Sequence, residues 1–374
     1  MDTTTATADT RARDRISAAL SEFFTARTER ARLYGDDFAS LWEVARDRVT
    51  GGKLVRPLLF LDMLGAFAPM TCDHPQIVED PFTRVALAET DDPVTAEAAT
   101  AVALACELLH YALLLHDDVI DGDRQRRGRP NLIGALQAGR DAPGAGHWAS
   151  TGAILMGDML LAAVHHIIGT LEVTGDKRSA LFSLLDHALI ESSAGEFLDV
   201  GLADGVIPAA PDTVLAMSSF KTSAYSFTFP IVAAAILTDR PPLLQTQLRP
   251  IGAHLGLGFQ LHDDLLSAFG TPESHGKDAY SDFREGKITA LVAHAQGTEA
   301  WGRVAGIFGD PQLTHAGARD IQQALADSGA LAEVESLIAA QRRSFAEAID
   351  CSDLPGHATA VLTDIAARLD GRTV

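Results

Sequence analysis

Residues 113–121 of this chain read Leu113-Leu114-Leu115-His116-Asp117-Asp118-Val119-Ile120-Asp121. A second stretch repeats the pattern as Gly258-Phe259-Gln260-Leu261-His262-Asp263-Asp264-Leu265-Leu266. Carboxylates in apolar surroundings repel each other and are costly to desolvate unless cations neutralise them. Oxygen-only clusters suit Mg²⁺, which keeps several waters and shares its remaining positions with substrate phosphates. The sequence therefore predicts two carboxylate clusters that bind magnesium.

Helical geometry distinguishes the two clusters. Asp117 and Asp121 are four residues apart, so a helix places them on one face about one turn apart. In the second cluster the residue one turn after Asp263 is Ser267, a neutral and poorer ligand. We expect the second cluster to bind metal more weakly.

The remaining sequence predicts an all-α protein, because apolar residues recur at three- and four-residue spacing and alternating β-branched runs are missing. The motifs are spread along the chain and must converge in space to act together, which favours a single domain over residues 1–374. Within it we expect a flexible stretch at 1–12 and a loop insertion at 68–93. The predicted helices cover residues 10–34, 38–49, 57–67, 95–121, 152–171, 176–203, 211–219, 227–237, 242–269, 288–296, 312–328 and 329–348.

Composition narrows the possible functions and setting. Fifty acidic residues against thirty basic ones give a formal charge of -20, which makes nucleic-acid binding unfavourable. Three separated cysteines fit neither a metal site nor a paired disulfide, which predicts a reduced, cytoplasmic setting. The longest apolar tract, residues 96–115, contains Glu107 and His110, which argues against a membrane span.

Clustered cations become informative in such an acidic chain. A basic loop, residues 122–130, follows the first cluster and contains Arg126 and Arg127, whose guanidinium forks suit phosphate oxygens. A flexible glycine pair precedes Lys53 and Arg56 in residues 51–57. Further lysines stand in Lys221-Thr222-Ser223 and in residues 276–287, where Lys277 and Lys287 follow the second cluster. Each of these basic segments, taken alone, is more often an ordinary solvent-exposed segment than a binding site.

The ordered set resembles the trans-isoprenyl diphosphate synthases, also called the polyprenyl synthetase family. The resemblance runs from about residue 51 to residue 289 and implies an isoprenoid synthase-type helical bundle around a central active-site cavity. Its parts are Gly-Gly-Lys-x-x-Arg-Pro at 51–57, Glu107-Leu108-Leu109-His110, the first aspartate motif with its Arg-Arg-Gly, Gly157-Asp158, Lys221-Thr222, Phe259-Gln260-x-x-Asp-Asp, and the Gly-Lys and Glu-Gly-Lys loop.

The resemblance also implies a reaction. An allylic diphosphate would be held by Mg²⁺ ions, three per site with substrate bound, and would ionise to an allylic carbocation. The alkene of isopentenyl diphosphate would attack that cation, and the released diphosphate would remove the proton. A diphosphate of roughly three negative charges beside these carboxylates needs several divalent ions.

Residue roles follow by position. Asp117, Asp121 and Asp263 would be metal ligands, with Asp118 and Asp264 supporting them, and Lys221 would complete the catalytic set. Residues expected to bind isopentenyl diphosphate are Gly52, Lys53, Arg56, His110 and Arg127. Those expected to bind the allylic diphosphate are Arg126, Lys221, Thr222, Gln260, Lys277 and Lys287.

The resemblance implies that the residues one turn before Asp117 line the floor under the growing chain and so limit product length. These floor residues are Ala112 and Leu113, and neither is aromatic, which favours a product longer than farnesyl. From the resemblance we expect geranylgeranyl diphosphate, with longer polyprenyl products next, and a homodimer. The family often has Gly-Gln where Gly195-Glu196 stands, so Glu196 is expected to act differently.

Three rival functions stay open. A class I terpene cyclase shares the fold and the first motif, and its second motif matches Asp263-Asp264-Leu265-Leu266-Ser267 until Thr271 replaces a glutamate. A non-catalytic regulatory subunit of a heteromeric prenyl synthase could have lost the ligand replaced by Ser267. A metal phosphohydrolase with a His-Asp step would explain His116 and His262 but not the lysines and arginines.

Overall fold

The computed structural model describes residues 3–68, 93–126, 128–270 and 280–370. Helices dominate these residues, and the prediction of an all-α fold is confirmed. The helices are α1 (Thr3–Ala31), α2 (Asp36–Val49), α3 (Val55–Phe67), α4 (Pro93–Ile120), α5 (Leu132–Gln137), α6 (Ala145–Thr170), α7 (Gly175–Ala203), α8 (Pro211–Ser223), α9 (Phe229–Leu237), α10 (Pro242–Phe269), α11 (Ser281–Glu285), α12 (Ala290–Ala295), α13 (Glu299–Gly302), α14 (His315–Asp327), α15 (Ala330–Asp350) and α16 (Gly356–Asp370).

Two short elements, a 3₁₀ turn and a β-hairpin, complete the secondary structure. A 3₁₀ turn, Arg32–Tyr34, follows α1, and a two-stranded antiparallel hairpin joins β1 (Gln125–Arg126) to β2 (Arg129–Pro130). Gln125 pairs with Pro130 and Arg126 with Arg129. The hairpin lies directly after the first aspartate cluster.

The chain divides into two compact units. The first comprises Met1–Leu185, Phe229–Gln245 and Pro355–Leu362, and the second comprises Asp186–Thr228, Thr246–Leu354 and Thr363–Val374. The single-domain assignment stays a prediction, and each unit is described by itself.

The first unit is built around α4. This helix packs against α6 and α3, while α3 also packs on α9 and α1 on α2. The core is apolar and includes fully enclosed Phe24, Phe60, Leu108, Leu109 and Leu115. Burying each such side chain stabilises the fold by roughly 1.5–3 kcal/mol. The packed interior fixes the axis of α4 and so fixes where the aspartates at its end lie.

The second unit surrounds α12, which packs against α8, α14 and α15. Its core includes Leu261 and Leu265 of α10 together with Leu291, Ile321 and Val334. A π-helical turn at Ala224–Thr228 follows α8. Pro230 accounts for this widening, because its ring lacks an N–H and collides with the carbonyl of Ser226 in a regular α-helix.

Two glycines allow α10 to approach α8 and the π turn closely. A Cβ on Gly256 would lie 2.5 Å from Cα of Ser223, and one on Gly252 would lie 2.8 Å from Cα of Thr228. Such distances exclude any side chain at these positions. The close approach brings Thr222 of α8 beside Gln260 of α10.

Several predicted boundaries differ from the structure. α1 begins at Thr3 and not at residue 10, and α6 begins at Ala145, ahead of the predicted residue 152. The helices α5, α11, α13 and α16 were not predicted. The flexibility assigned to residues 1–12 stays a prediction, and the insertion assigned to 68–93 falls outside the described residues except at its two ends.

Three segments of the described chain are long and apolar enough to cross a membrane by length and composition. They are Ala96–Ile120, Ala145–Thr170 and Pro211–Leu237. In the first, 67% of the most apolar window is buried within the protein, and in the third, 78%. Burial accounts for the apolar character of the first and third segments, whereas only 39% of the window in the second is buried. The absence of a membrane span stays a prediction.

Candidate functional site

The first aspartate cluster forms the end of α4. Asp118 is 3% exposed, Asp117 is half-buried and Asp121 is exposed. The N–H of Asp121 donates to the carbonyl of Asp117 at 2.9 Å, so the helical turn continues through both residues. The negative end of a helix dipole makes this an unfavourable place for carboxylates without cations.

Arg126 supplies a cation to this cluster. Its Nη2 donates to Oδ2 of Asp117 at 2.9 Å and to Oδ1 of Asp118 at 2.6 Å, while its Nε donates to the same Asp118 oxygen at 2.9 Å. The sequence predicted both the arginine and the carboxylates but not their pairing. In this state Arg126 pairs with Asp117, a predicted metal ligand, and with Asp118, which is predicted to support the metal ligands.

Asp118 remains easier to protonate than an ordinary aspartate. Burial raises its pKa to about 6; Arg126 and Asn131 act in the opposite direction and Asp117 adds to the rise. Burial therefore outweighs the arginine in its effect on the pKa of Asp118.

Asn131 and Gly134 fix the hairpin that carries Arg126. The side chain of Asn131 caps α5 by accepting from the N–H of Gly134 at 2.9 Å and donates to the carbonyl of Asp123 at 2.9 Å. A Cβ on Gly134 would lie 2.2 Å from the carbonyl oxygen of Arg124. α5 therefore presses against the start of the hairpin and sets its path.

Gly157 and Asp158 act on His116, the residue before the cluster. Nε2 of His116 lies 3.4 Å from Oδ1 of Asp158 and 3.4 Å from the carbonyl oxygen of Ile154. A Cβ on Gly157 would lie 2.3 Å from that nitrogen. The glycine thus makes room for the histidine ring, which explains the Gly-Asp pair seen in the sequence.

The predicted isopentenyl diphosphate residues lie on α3, α4 and the loop before α3. Lys53 is exposed, and Gly52, Arg56 and His110 are half-buried. Leu54 adopts the left-handed conformation at φ 52°, which is costly for a residue with a branched side chain. Nη1 of Arg13 donates to the carbonyl of Lys53 at 2.9 Å and helps to hold this bend. Arg127 lies outside the described residues.

The two predicted floor residues differ in exposure. Ala112 is fully enclosed, whereas Leu113 is half-buried and keeps accessible surface. Tyr111 is buried with its ring edge-on to Phe24, 6.5 Å between centroids. Of these three, Leu113 keeps the most accessible surface.

A hydrogen-bonded relay organises the second cluster. Thr222 Oγ1 donates to Oε1 of Gln260 at 2.7 Å, and Nε2 of Gln260 donates to Oδ1 of Asp264 at 2.8 Å. The relay joins α8 to α10 and fixes the orientation of the amide. Asp263 is half-buried beside it.

Asp264 is the more strongly perturbed carboxyl. It is 5% exposed, and burial raises its pKa to about 7. Lys287 and the Gln260 hydrogen bond oppose this rise, whereas Asp282 and Asp263 add to it. Lys287 therefore acts on Asp264 electrostatically, and its role in binding the allylic diphosphate stays a prediction. Lys277 lies outside the described residues.

Lys221 is bound by two carboxylates of α7. Its Nζ lies 2.6 Å from Oδ2 of Asp199 and 2.9 Å from Oε2 of Glu196. Sequence reasoning had noted Glu196 only as a departure and had not assigned Asp199. Their three-residue spacing on one helix was the available signal.

The aspartates of the two motifs suit a magnesium ion that is shared with substrate phosphates. Within the described ranges no group of three or more acidic, histidine or cysteine side chains forms a ready-made metal site. Mg²⁺ is usually held by one or two carboxylates together with substrate phosphates and not by an all-protein cage. The oxygen-only donors Asp117, Asp121 and Asp263 suit that kind of binding.

Comparison with known proteins identifies related chains. The Polyprenyl synthetase family profile matches residues 39–314. A (2E,6E)-farnesyl diphosphate synthase of Mycobacterium tuberculosis is 34% identical over 196 residues, 51% of this chain and 50% of that protein. A geranylgeranyl diphosphate synthase of the same organism is 32% identical over 232 residues, 61% of each chain. This chain thus aligns with about half the length of the curated relatives it matches.

A solved structure matches over the whole length. It is the geranylgeranyl pyrophosphate synthase from Corynebacterium glutamicum, complexed with isoprenyl diphosphate and magnesium, with a TM-score of 0.82, 26% identity and full coverage of both chains. The similarity confirms the fold expected from the sequence motifs.

Proposed function

This chain belongs to the polyprenyl synthetase family, and we propose that it is a chain-elongating prenyltransferase that condenses isopentenyl diphosphate with an allylic diphosphate. One observation carries the proposal. Each of the two aspartate motifs contains a buried carboxyl whose pKa is raised although a cation acts on it: Asp118 at the end of α4, beside Arg126, and Asp264 on α10, acted on by Lys287. Divalent cations would supply positive charge to both motifs and would bind the phosphates of the substrates.

Magnesium is the proposed cofactor, with three ions per active site when substrate is bound. Asp117 and Asp121 would hold it in the first cluster and Asp263 in the second, while Asp118 and Asp264 support these ligands. When bound, the ions offset diphosphate charge and make the diphosphate a better leaving group. The magnesium-bound relative from C. glutamicum supports this assignment.

The basic residues are proposed to bind the two diphosphates. Arg126, Lys221 and Lys287, with Lys277, would contact the allylic diphosphate, and Thr222 and Gln260 would orient the second cluster through their relay. Lys53, Arg56 and His110, with Gly52 and Arg127, would hold isopentenyl diphosphate. Arg126 and Lys221 are already held beside carboxylates, so each must exchange at least part of that contact for phosphate.

Geranylgeranyl diphosphate is the proposed main product. Leu113 is of moderate size and keeps accessible surface one turn before Asp117. The relatives include farnesyl and geranylgeranyl synthases, so family membership alone does not fix the chain length.

A homodimer in a cytoplasmic setting completes the proposal. α6 carries Trp148, Ile154 and Leu155 at its surface, where they are 38–49% exposed. Large apolar side chains grouped on one helix are typical of surfaces that contact another protein. Size-exclusion chromatography with light scattering measures the oligomeric state.

One assay separates the proposed function from its rivals. Purified protein is given Mg²⁺, farnesyl diphosphate and isopentenyl diphosphate, and products are identified by mass spectrometry. An elongated prenyl diphosphate supports the synthase, a cyclic hydrocarbon supports the terpene cyclase suggested by residues 263–267, and no product supports the regulatory subunit.

Asp117→Asn provides the mechanistic check. Loss of the metal-binding charge is expected to lower kcat/KM by several orders of magnitude, because the interaction is needed as the diphosphate leaves. Asp176→Asn, the same substitution at an exposed residue of α7, is the matched control and should retain full activity. Equal activity of both variants would remove the metal assignment.

A further inference from the structure

The Lys221 ammonium lies between two carboxylates of unequal exposure. The side chains of Asp199 and Glu196 are 9% and 20% exposed, and that of Lys221 is 19% exposed. Oδ1 of Asp199 has no hydrogen-bond partner among the described residues, while its Oδ2 contacts the lysine at 2.6 Å. Asp199 is thus the closer and more enclosed partner, and Glu196 is the more accessible one.

The backbone of α7 imposes this arrangement. A Cβ on Gly195 would lie 2.2 Å from the backbone N and 2.6 Å from Cα of Lys221, so α7 and α8 are in direct backbone contact there. Glu196 and Asp199 are three residues apart and therefore project from neighbouring positions of one helical face. The close contact at Gly195 places the carboxylates of Glu196 and Asp199 next to the Lys221 ammonium.

The charges of this group do not balance. One ammonium faces two carboxylates, so the three side chains together carry about one negative charge. Asp199 alone would neutralise Lys221. The Glu196 carboxylate adds a second negative charge 2.9 Å from the ammonium, where it repels an approaching anion and competes with it for Lys221.

We propose that Glu196 is a positioning residue that restrains Lys221 and weakens the binding of diphosphate. Lys221 must exchange its contact with Glu196 for a phosphate oxygen, while Asp199 keeps the lysine in place. The exchange also works in reverse, because Glu196 recaptures the ammonium and assists release of the diphosphate product. This inference rests on the proposed function, in which Lys221 contacts a diphosphate.

Calorimetric titration with inorganic pyrophosphate, with and without Mg²⁺, tests the proposal. Glu196→Gln keeps the size and hydrogen-bonding capacity of the side chain but removes its charge. We expect it to bind pyrophosphate about tenfold more tightly than the wild type in both conditions, and to lower KM for the allylic diphosphate with little rise in kcat. KM for isopentenyl diphosphate should stay unchanged.

Glu191→Gln is the matched control. It makes the same substitution on the same helix, where Glu191 contacts His187 at 3.6 Å and not Lys221. It should bind pyrophosphate as the wild type does. A similar gain in both variants would overturn the proposal, because it would reflect only the net charge of the protein.

Three other results would also overturn the proposal. Weaker pyrophosphate binding by Glu196→Gln only in the presence of Mg²⁺ would make Glu196 a metal ligand. Equal binding by wild type and Glu196→Gln would show that Glu196 does not restrain Lys221, and would leave the proposed function standing. No binding by either protein, together with no prenyl product, would remove the proposed function as well.

Discussion

Nη2 of Arg126 lies 2.6 Å from Oδ1 of Asp118, a carboxylate that is almost completely buried. The arginine comes from the hairpin that follows α4, so a short loop neutralises the end of the preceding helix. The contact depends on Asn131 and Gly134, which hold that hairpin. Arg126, a member of the predicted phosphate-binding set, therefore also stabilises a buried carboxylate of the first unit.

Arg126→Gln should therefore destabilise the metal-free protein. It removes the cation from a buried carboxylate, and such a loss costs about 2 kcal/mol or more. Urea unfolding at pH 7 without metal measures the effect. The double variant Asp118→Asn with Arg126→Gln should recover part of the loss, because no buried charge remains. An additive loss in the double variant would contradict this coupling.

Gly195→Ala should be strongly destabilising. The new Cβ would clash with the backbone of Lys221, and no side-chain rotation could relieve that clash. Overpacking of this kind typically costs about 3 kcal/mol. Gly258→Ala on α10 is the control, since its Cβ would lie 3.7 Å from Cβ of Gln341 in ordinary contact. Thermal unfolding compares the two. Equal stability would show that α7 and α8 can separate at no cost.

Sequence alone predicted the helices best where strong boundary residues exist. The predicted range 242–269 agrees with α10 at both ends, because Pro242 begins the helix and Gly270 follows it. α6 was predicted to begin too late, because Gly144 and Gly146 suggested a loop that the packing of Ala145 and Ala149 overrides.

α16 was missed although its signal is present. Ala358, Val361, Leu362 and Ile365 are spaced as one face of a helix, and all four are buried. No helix was predicted after residue 348. Here hydrophobic spacing would have sufficed without any knowledge of tertiary structure.

The aspartates and cations of the site were readable from sequence, but their pairing was not. Lys221 and Asp199 are 22 residues apart and meet only because α7 and α8 touch at Gly195. No local pattern encodes where two helices cross. Glu196 and Asp199 shared a face in the sequence, yet their target depended on that crossing.

The stability of the metal-free protein should depend on pH through Asp264. Its pKa of about 7 in the folded protein lies above the ordinary value of 3.8, and the charged groups acting on it are Lys287, Asp282 and Asp263. A raised pKa means that the folded state holds the proton more tightly. The stabilisation is complete below about pH 4 and is lost as the pH rises towards 7.

Asp264→Asn removes this titration. The stability difference between Asp264→Asn and wild type should therefore grow by roughly 1 kcal/mol per pH unit between pH 5 and pH 7 in favour of the variant. Urea unfolding in Mg²⁺-free buffers at pH 5, 6 and 7 gives the comparison. Parallel curves for the two proteins would show that Asp264 does not carry the dependence.

Leu113→Phe should shorten the main product, because a larger ring at a half-buried position one turn before Asp117 would occupy space needed by a growing prenyl chain. Farnesyl diphosphate should replace geranylgeranyl diphosphate as the main product, measured by mass spectrometry at equal substrate concentrations. Ala112→Phe serves as the contrast. Ala112 is fully enclosed, so a phenylalanine there overpacks the core and should lower the free energy of unfolding by about 1–3 kcal/mol. An unchanged chain-length distribution in Leu113→Phe, with activity retained, would show that the growing chain does not pass this residue.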